Sequence, residues 1–214
     1  MKILYSETLD GICIQRCFGL DGNVRIPESV AGGTVTRLAP YVFSDSMARA
    51  VRARGGFTEP LRVWDCEEGT AAAVPEPDTE VLDGLPAVCG AKVTGLELPA
   101  GVKAVGAYAF YGCESLEELE CASTLRDWGA GVFTGCTGLS RLGVRIIPGE
   151  KSCLREILSE LHQALRVDLK EPDGRLKARL IFPEFYEESV ENTPARIIMR
   201  EMHGCGHMYR YCFD

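Results

Sequence analysis

The amino-acid sequence predicts an α/β fold in which short parallel strands stack as a solenoid, followed by a C-terminal helix and β-hairpin. Two observations predict this fold. A sequence pattern recurs after 23 residues, with apolar residues two apart at the end of each copy, as on one face of a strand. After residue 149, the apolar spacing changes to that of an amphipathic helix and then to two alternating runs.

The repeated pattern is clearest in GAYAFYGCESLEEL, residues 106–119, and GAGVFTGCTGLSRL, residues 129–142. The closing apolar spacing occurs in four places: Leu61/Trp64/Cys66, Val93/Leu96/Leu98, Leu116/Leu119/Cys121 and Leu139/Leu142/Val144. The last two residues of each set share one strand face, so each set predicts a short strand. Such a unit cannot bury its own apolar face and must stack on its neighbours.

Equivalent residues of successive units are expected to be buried against one another. Phe110 and Phe133 lie 23 positions apart, and we expect their rings to be close together in one core. Cys113 and Cys136 share another position of the unit. We expect both to be buried, reduced thiols that pack as small hydrophobic residues.

The segment LELPAGVKAVGAYAFYGCESLEEL, residues 96–119, resembles the BspA-type leucine-rich repeats. The resemblance is specific over residues 93–144 and good over 24–45, where Val35, Leu38 and Phe43 match Val102, Val105 and Phe110. It implies a curved solenoid with a parallel sheet on one side and turns or short helical segments on the other. Relatives of this type are often surface or adhesion proteins.

We therefore assign residues 1–149 to the leucine-rich-repeat solenoid, with an insert at 46–92 and clear repeats over 93–149. Within the insert, Met47, Ala50 and Val51 are spaced for one face of a short helix that exposes three arginines (Arg49, Arg52 and Arg54). Residues 67–86 are rich in Pro, Asp and Glu and indicate either an excursion or a disordered loop.

Residues 150–214 form the predicted C-terminal extension. Its helix is predicted by the spacing of Leu154, Ile157, Leu158, Leu161 and Leu165, with Ser152 as the N-cap. This helix could cover the open end of the solenoid. Two alternating runs around Pro172-Asp173-Gly174, within residues 167–183, predict the β-hairpin.

The composition disfavours two classes of partner. The chain has 214 residues and a net charge of −8, whereas binding to nucleic acid or an anionic membrane needs clustered Lys and Arg. The opening apolar run, Ile3 to Tyr5, is too short for a signal peptide, and no stretch approaches a membrane span. We therefore expect a soluble, cytoplasmic protein whose 10 cysteines remain thiols.

The sequence favours a non-enzymatic protein-protein interaction module without a cofactor. Its candidate binding residues project from the predicted strand face: Glu97, Glu117, Glu118 and Glu120. We expect these carboxylates to favour a basic protein partner. A cluster that includes Glu114 could also act as an acid-base pair or a calcium site, but a solvated strand face is the simpler interpretation.

The alternative is a metal site or a cysteine/histidine enzyme in the segment HGCGHMYRYC. Its candidate ligands are His203, Cys205, His207 and Cys212. Imidazole and thiolate groups suit zinc, but this spacing fits no common zinc pattern. The glycines of GAGVFTG, residues 129–135, resemble a phosphate-binding loop, yet the repeat accounts for them and no long helix follows.

Overall fold

The computed structural model describes residues 1–150, 152–161 and 163–182. In chain order, the strands are β1 (Lys2–Thr8), β2 (Gly11–Phe18), β3 (Asn23–Arg25), β4 (Ser29–Val30), β5 (Gly33–Leu38), β6 (Arg62–Asp65), β7 (Thr70–Ala73), β8 (Val81–Leu82), β9 (Leu85–Pro86), β10 (Gly95–Glu97), β11 (Ala104–Val105), β12 (Glu118–Ala122), β13 (Asp127–Trp128), β14 (Arg141–Arg145), β15 (Leu165–Lys170) and β16 (Leu176–Phe182). The described helices are α1 (Met47–Ala53), α2 (Leu154–Ser159) and a 3-10 turn, Gly90–Lys92. The described part of the fold is therefore mostly sheet.

The repeats build one sheet in the order β3-β10-β12-β14-β15-β16. The first five strands are parallel, and β16 returns antiparallel to β15. Leu96, Leu119 and Leu142 are direct neighbours across these strands, and each is at most 2% exposed. The predicted 23-residue repeat is therefore confirmed as a row of equivalent leucines in one core.

A second sheet has the order β13-β11-β5-β2-β1-β6-β7, with β4 paired to β5. Its repeat-derived half is parallel, and Leu38, Val105 and Trp128 lie opposite one another. Each unit thus contributes one strand to the repeat sheet and one to the second sheet. In this order, the pairs are β3 and β5, β10 and β11, and β12 and β13. After β14, the chain forms α2 instead of a further short strand.

Aromatic rings at one position of the unit form a row through the core. The ring centroids of Phe43 and Phe110 are 5.9 Å apart, and those of Phe110 and Phe133 are 5.8 Å apart. Trp128 packs against Phe133 at 5.1 Å. The predicted proximity of Phe110 to Phe133 is confirmed, and the row extends back to the unit at 24–45.

The repeated glycine at the start of each phrase allows consecutive turns to touch through their backbones. A Cβ atom on Gly129 would lie 2.3 Å from the backbone nitrogen of Ala107, and one on Gly106 would lie 2.3 Å from that of Pro40. No side chain fits at such distances, so the stacking of units requires glycine here.

The insert at 46–92 contributes no strand to the repeat sheet between β3 and β10. Val24 pairs with Leu96 across β3 and β10, so the unit at 24–45 packs directly on the unit that begins at 93. The predicted helix is present as α1, with Met47 and Val51 buried. Residues 67–86 form an excursion that contains β7 and the β8–β9 hairpin.

The structure corrects the assignment of Leu61, Trp64 and Cys66 to the repeat. Their strand, β6, lies in the second sheet between β1 and β7 and is antiparallel to both. The spacing correctly predicted a strand, but the partner of β6 is the N-terminal hairpin β1–β2, which repeat-based reasoning missed. The sequence signal for that hairpin is the Asp10-Gly11 pair between two apolar runs, although the turn residues in the structure are Leu9 and Asp10, and Gly11 begins β2.

The predicted C-terminal helix is too long. α2 ends at Ser159, and Leu165 begins β15 instead, because Leu165, Val167 and Leu169 alternate toward the core. Cys153 holds the N-cap position rather than Ser152, whose hydroxyl accepts a hydrogen bond from the Leu154 N–H (3.2 Å).

The predicted β-hairpin is confirmed as β15 and β16, and β15 also pairs in parallel with β14. The sheet therefore continues across the position assigned as the boundary between 149 and 150. Neither α1 nor α2, the α-helices that the structure describes, has the length and apolar composition of a membrane-spanning helix.

Candidate functional site

The solvent side of the repeat sheet carries a dense set of charged side chains, which we call the charged face. It comprises Arg25, Glu97, Glu118, Glu120, Arg141, Arg145, Arg166, Asp168, Lys170 and Arg179. These residues alternate along their strands with the buried row, and therefore point to the opposite side of the sheet. Glu117, immediately before β12, lies at its margin.

Glu97 and Glu120 are direct neighbours across β10 and β12, as the candidate site requires. Each also has a basic partner. The Arg25 Nε donates to the Glu97 carboxylate (2.6 Å), and the Lys170 Nζ donates to that of Glu120 (2.5 Å). The carboxylate of Glu120 crosses Gly143 to reach Lys170, and a Cβ atom on Gly143 would lie 2.1 Å from the Glu120 carboxylate oxygen.

Glu117 and Glu118 share the guanidinium of Arg141. The Arg141 Nη2 is 3.7 Å from the Glu117 carboxylate and 3.3 Å from that of Glu118. Glu117 is the more open of the two, with 68% of its side chain exposed. All four predicted residues therefore lie at one face, and each of them is ion-paired.

Asp168 forms ion pairs with two arginines of this face, Arg166 and Arg179. The Arg179 Nε donates to its carboxylate at 2.7 Å, and the Arg166 Nη2 donates at 2.5 Å. Burial alone would raise the pKa of Asp168, but the hydrogen bonds from Arg179 and Arg166 outweigh it and lower the pKa to about 2. The carboxylate is therefore ionised at any physiological pH.

The basic partners are what reasoning from the sequence missed. They come from other strands of the sheet, so they become visible only when the order and register of the strands are known. One signal was available: 23 residues after Glu118 lies Arg141, its ion-pair partner. The charged face is consequently a mosaic of both signs rather than an acidic surface.

The residues of the alternative site, His203, Cys205, His207 and Cys212, lie outside the described residues. Within the described residues, no group of three or more His, Cys, Asp and Glu side chains is arranged to hold a metal ion.

The repeated thiols are part of the core. The Cys113 Sγ donates to the Phe43 carbonyl (3.3 Å), and both Cys113 and Cys136 are buried free thiols, as predicted. Burial raises the pKa of Cys136 to about 12, and it also raises the pKa of Cys113 above its usual value. Neither thiol has the lowered pKa that a nucleophilic cysteine needs.

Comparison with known proteins identifies the repeat. A family model described as BspA type leucine rich repeat region matches residues 87–154 in six copies. The matched segment includes β10, β11, β12, β13 and β14, which are the strands of the clear repeats. No curated protein and no solved structure matches the chain.

Proposed function

Because residues 87–154 are a region of BspA-type leucine-rich repeats, we propose that this protein is a non-enzymatic interaction module that binds another protein through its charged face. Leucine-rich repeats suggest protein-protein interaction as the general role. We propose in addition that the units are arranged as a solenoid and that the charged face is the surface that binds.

The in-register pairing of equivalent strands supports the solenoid. Val24, Leu96, Leu119 and Leu142 form one row, so successive units repeat the same contacts at the same interfaces. Repeats that stack in this way offer an extended surface whose outward residues can change without disturbing the core.

The ion pairs of the charged face are the main reason for proposing that the partner binds there. Each pair restricts the two side chains that it joins, as Arg25 does for Glu97 and Lys170 does for Glu120, above a hydrogen-bonded sheet. A partner that meets oriented side chains loses less conformational entropy on binding. Since the face carries charges of both signs, the complementary partner carries a matching mosaic of acidic and basic groups. Its binding is expected to weaken with salt.

The test compares proteins retained from a lysate of the source cell by immobilised wild type and by two variants. In the first variant, Glu97, Glu117, Glu118 and Glu120 are changed to Ser. In the matched control, four exposed carboxylates outside the charged face are changed to Ser: Glu28, Glu114, Asp127 and Glu156. We expect a protein that the wild type and the control retain and that the first variant loses, while all three remain folded by circular dichroism.

A third variant tests the alternative function in the segment 203–212. It changes His203, Cys205 and His207 to Ser. If only this variant loses the retained protein, the charged face is not the binding site. Metal analysis of the freshly purified wild type checks the same alternative without a partner.

A further inference from the structure

The second sheet ends in an open strand edge at β7. Among the described residues, β7 pairs with β6 alone. The Val74 N–H donates to the Leu61 carbonyl (3.1 Å), so Val74 bonds to the chain that contains β6. In an antiparallel ladder only alternate residues bond to a given neighbour. The N–H and C=O groups of Ala71 and Ala73 therefore point away from β6. All residues of β7 are exposed and none is charged. This edge presents backbone donors and acceptors to which a further strand can bind.

A groove with a volume of about 590 Å³ continues from the end of β7. Its lining comes from α1, from residues within 56–61 and from the segment 73–79. Leu61 is buried in the floor, and Phe57 and Val74 are partly buried against the same small apolar cluster. An extended chain that pairs with β7 can therefore continue into a groove with an apolar floor.

The walls of the groove are held in place. Pro60, Pro75 and Pro77 all line it, and their rings restrict the backbone there. The carbonyl of Thr79 accepts a hydrogen bond from the buried Arg16 Nε (2.9 Å). A ligand therefore meets a largely preformed surface, which lowers the entropic cost of binding.

The charges around the groove select the ligand. Glu59, Glu76 and Asp78 line it, against the single guanidinium of Arg52. Neither Glu59 nor Glu76 forms an ion pair with a described residue. Both carboxylates are exposed and can meet a cation from a partner.

The same charges disfavour a second copy of this chain. The turn before β7 carries Glu67 and Glu68, and the segment after β7 carries Glu76 and Asp78. Antiparallel pairing of two β7 edges would bring these two acidic groups of opposite copies together. Like charges placed opposite each other destabilise such pairing.

We propose that the β7 edge and the adjoining groove bind an extended, basic peptide segment of another protein. The segment adds a strand to β7 through the backbone groups of Ala71 and Ala73. Its apolar side chains contact the groove floor, and its basic side chains meet Glu59 and Glu76. Main-chain hydrogen bonds supply affinity in this mode of recognition, and the side-chain pockets supply specificity. The site is separate from the charged face.

The test uses a capped peptide of alternating lysine and valine as the probe, with an alternating glutamate and valine peptide as its control. Calorimetric titration measures affinity, and residue-resolved amide hydrogen exchange locates the binding edge. We expect the lysine peptide alone to bind and to slow exchange of the Ala71 and Ala73 amides. The Ala72 amide faces β6 and should exchange at an unchanged rate.

Two variants separate the charge from the backbone contribution. E59Q/E76Q should weaken binding of the lysine peptide about fivefold, as expected for the loss of two exposed ion pairs. The matched control E114Q/E156Q removes the same charge elsewhere and should bind as the wild type does. Ala73→Pro removes one outward N–H and should weaken binding about fivefold. Proline is tolerated on the outer side of an edge strand.

Four results would each overturn the proposal. Two concern affinity: both peptides bind equally, or E59Q/E76Q binds the lysine peptide as tightly as the wild type does. Two concern amide exchange: the lysine peptide binds without slowing exchange at Ala71 and Ala73, or dimerisation at high protein concentration slows exchange at these amides without peptide. If Ala73→Pro does not fold, the exchange measurement on the wild type decides the edge assignment alone. The four-glutamate variant of the charged face should bind the lysine peptide normally, which separates this site from the proposed function.

Discussion

The Cys136 thiol donates a hydrogen bond to the Phe110 carbonyl of the preceding unit, with 3.1 Å between sulfur and oxygen. Cys113 makes the equivalent bond to Phe43. The repeated cysteine therefore has two roles, since it fills a small apolar space and supplies a second, weak donor to a carbonyl that already accepts a backbone N–H.

Removing this sulfur should destabilise the fold without affecting any chemistry at the surface. We expect Cys136→Ala to lower the free energy of unfolding by about 1 to 2 kcal/mol, because it leaves a small cavity and removes the second donor to the Phe110 carbonyl, which keeps its bond from the Cys113 N–H. Urea denaturation measures the change. The exposed Cys66 provides the control, and Cys66→Ala should change stability by less than about 0.5 kcal/mol. Equal effects of the two substitutions would contradict the assigned role.

The aromatic row predicts a larger loss. Phe110 is fully buried between Phe43 and Phe133, so Phe110→Ala should cost about 3 to 5 kcal/mol of unfolding free energy. The fully exposed Leu9 is the comparison, since Leu9→Ala should be close to neutral. A cost below about 1 kcal/mol for Phe110→Ala in denaturant titration would contradict packing of these rings in one core.

Two glycines that a Cβ atom would crowd should respond differently to substitution. At Gly129 the obstacle is the backbone of Ala107, whereas at Gly143 it is the flexible end of Glu120. We expect Gly129→Ala to cost about 3 kcal/mol or more, and Gly143→Ala about 1 kcal/mol or less, through loss of the ion pair between Glu120 and Lys170. The cost of Gly143→Ala should decrease further in a Glu120→Ser background. A double-mutant cycle that shows no such coupling would contradict the described path of the Glu120 side chain.

Asp168 predicts a specific dependence of stability on pH. Its pKa is about 2 in the folded protein, below the value of about 3.9 expected in the unfolded chain. A lowered folded pKa contributes stability that is present above the unfolded value and lost as pH falls through the folded value. The stability difference between wild type and Asp168→Asn should therefore decrease between about pH 4 and pH 2. Urea titrations across this range measure it, and a constant difference would argue against the ion pairs with Arg166 and Arg179.

Arg16 joins the N-terminal hairpin to two distant segments. Arg16 is 1% exposed, and its guanidinium donates to the carbonyls of Thr79 (2.9 Å), Val42 (3.0 Å) and Ser44 (2.6 Å). Arg16→Met should lower the free energy of unfolding by about 3 kcal/mol or more, because the buried carbonyls of Thr79 and Val42 lose the donor that Arg16 supplies. Arg16→Lys should not restore stability, since an ammonium group cannot reproduce the fork of donors. Full rescue by lysine, measured by thermal unfolding, would show that charge alone matters.

The sequence predicted the parts of the fold where neighbouring units must have identical environments. Leu96, Leu119 and Leu142 could be placed in one row because a repeated unit buries the same positions each time. The partners of non-repeated strands were not predictable in this way. The apolar spacing of Leu61 and Trp64 specifies a strand, but not the sheet to which it belongs.

The same reasoning applies to the C-terminal helix and to the candidate site. Leu165 fits both the helical spacing that begins at Leu154 and the alternating strand pattern that ends at Leu169. It forms a strand in the structure because β15 pairs with β14. Glu97, Glu118 and Glu120 lie on one face, as predicted, whereas Glu117 precedes β12 and lies at its margin. Their basic partners depended on the register of the sheet, and Lys170 lies 50 residues from Glu120 in the chain.

The insert at 46–92 has a consequence for the order of folding. Leu96 and Leu119 meet after a separation of 23 residues, whereas Val24 and Leu96 must close a loop of 72. The longer loop adds about 1 kcal/mol of closure entropy to the barrier. We therefore expect the units after residue 93 to form the nucleus and the N-terminal unit to dock later. Mutations in the row around Leu119 should slow folding, whereas those at Val24 should mainly accelerate unfolding.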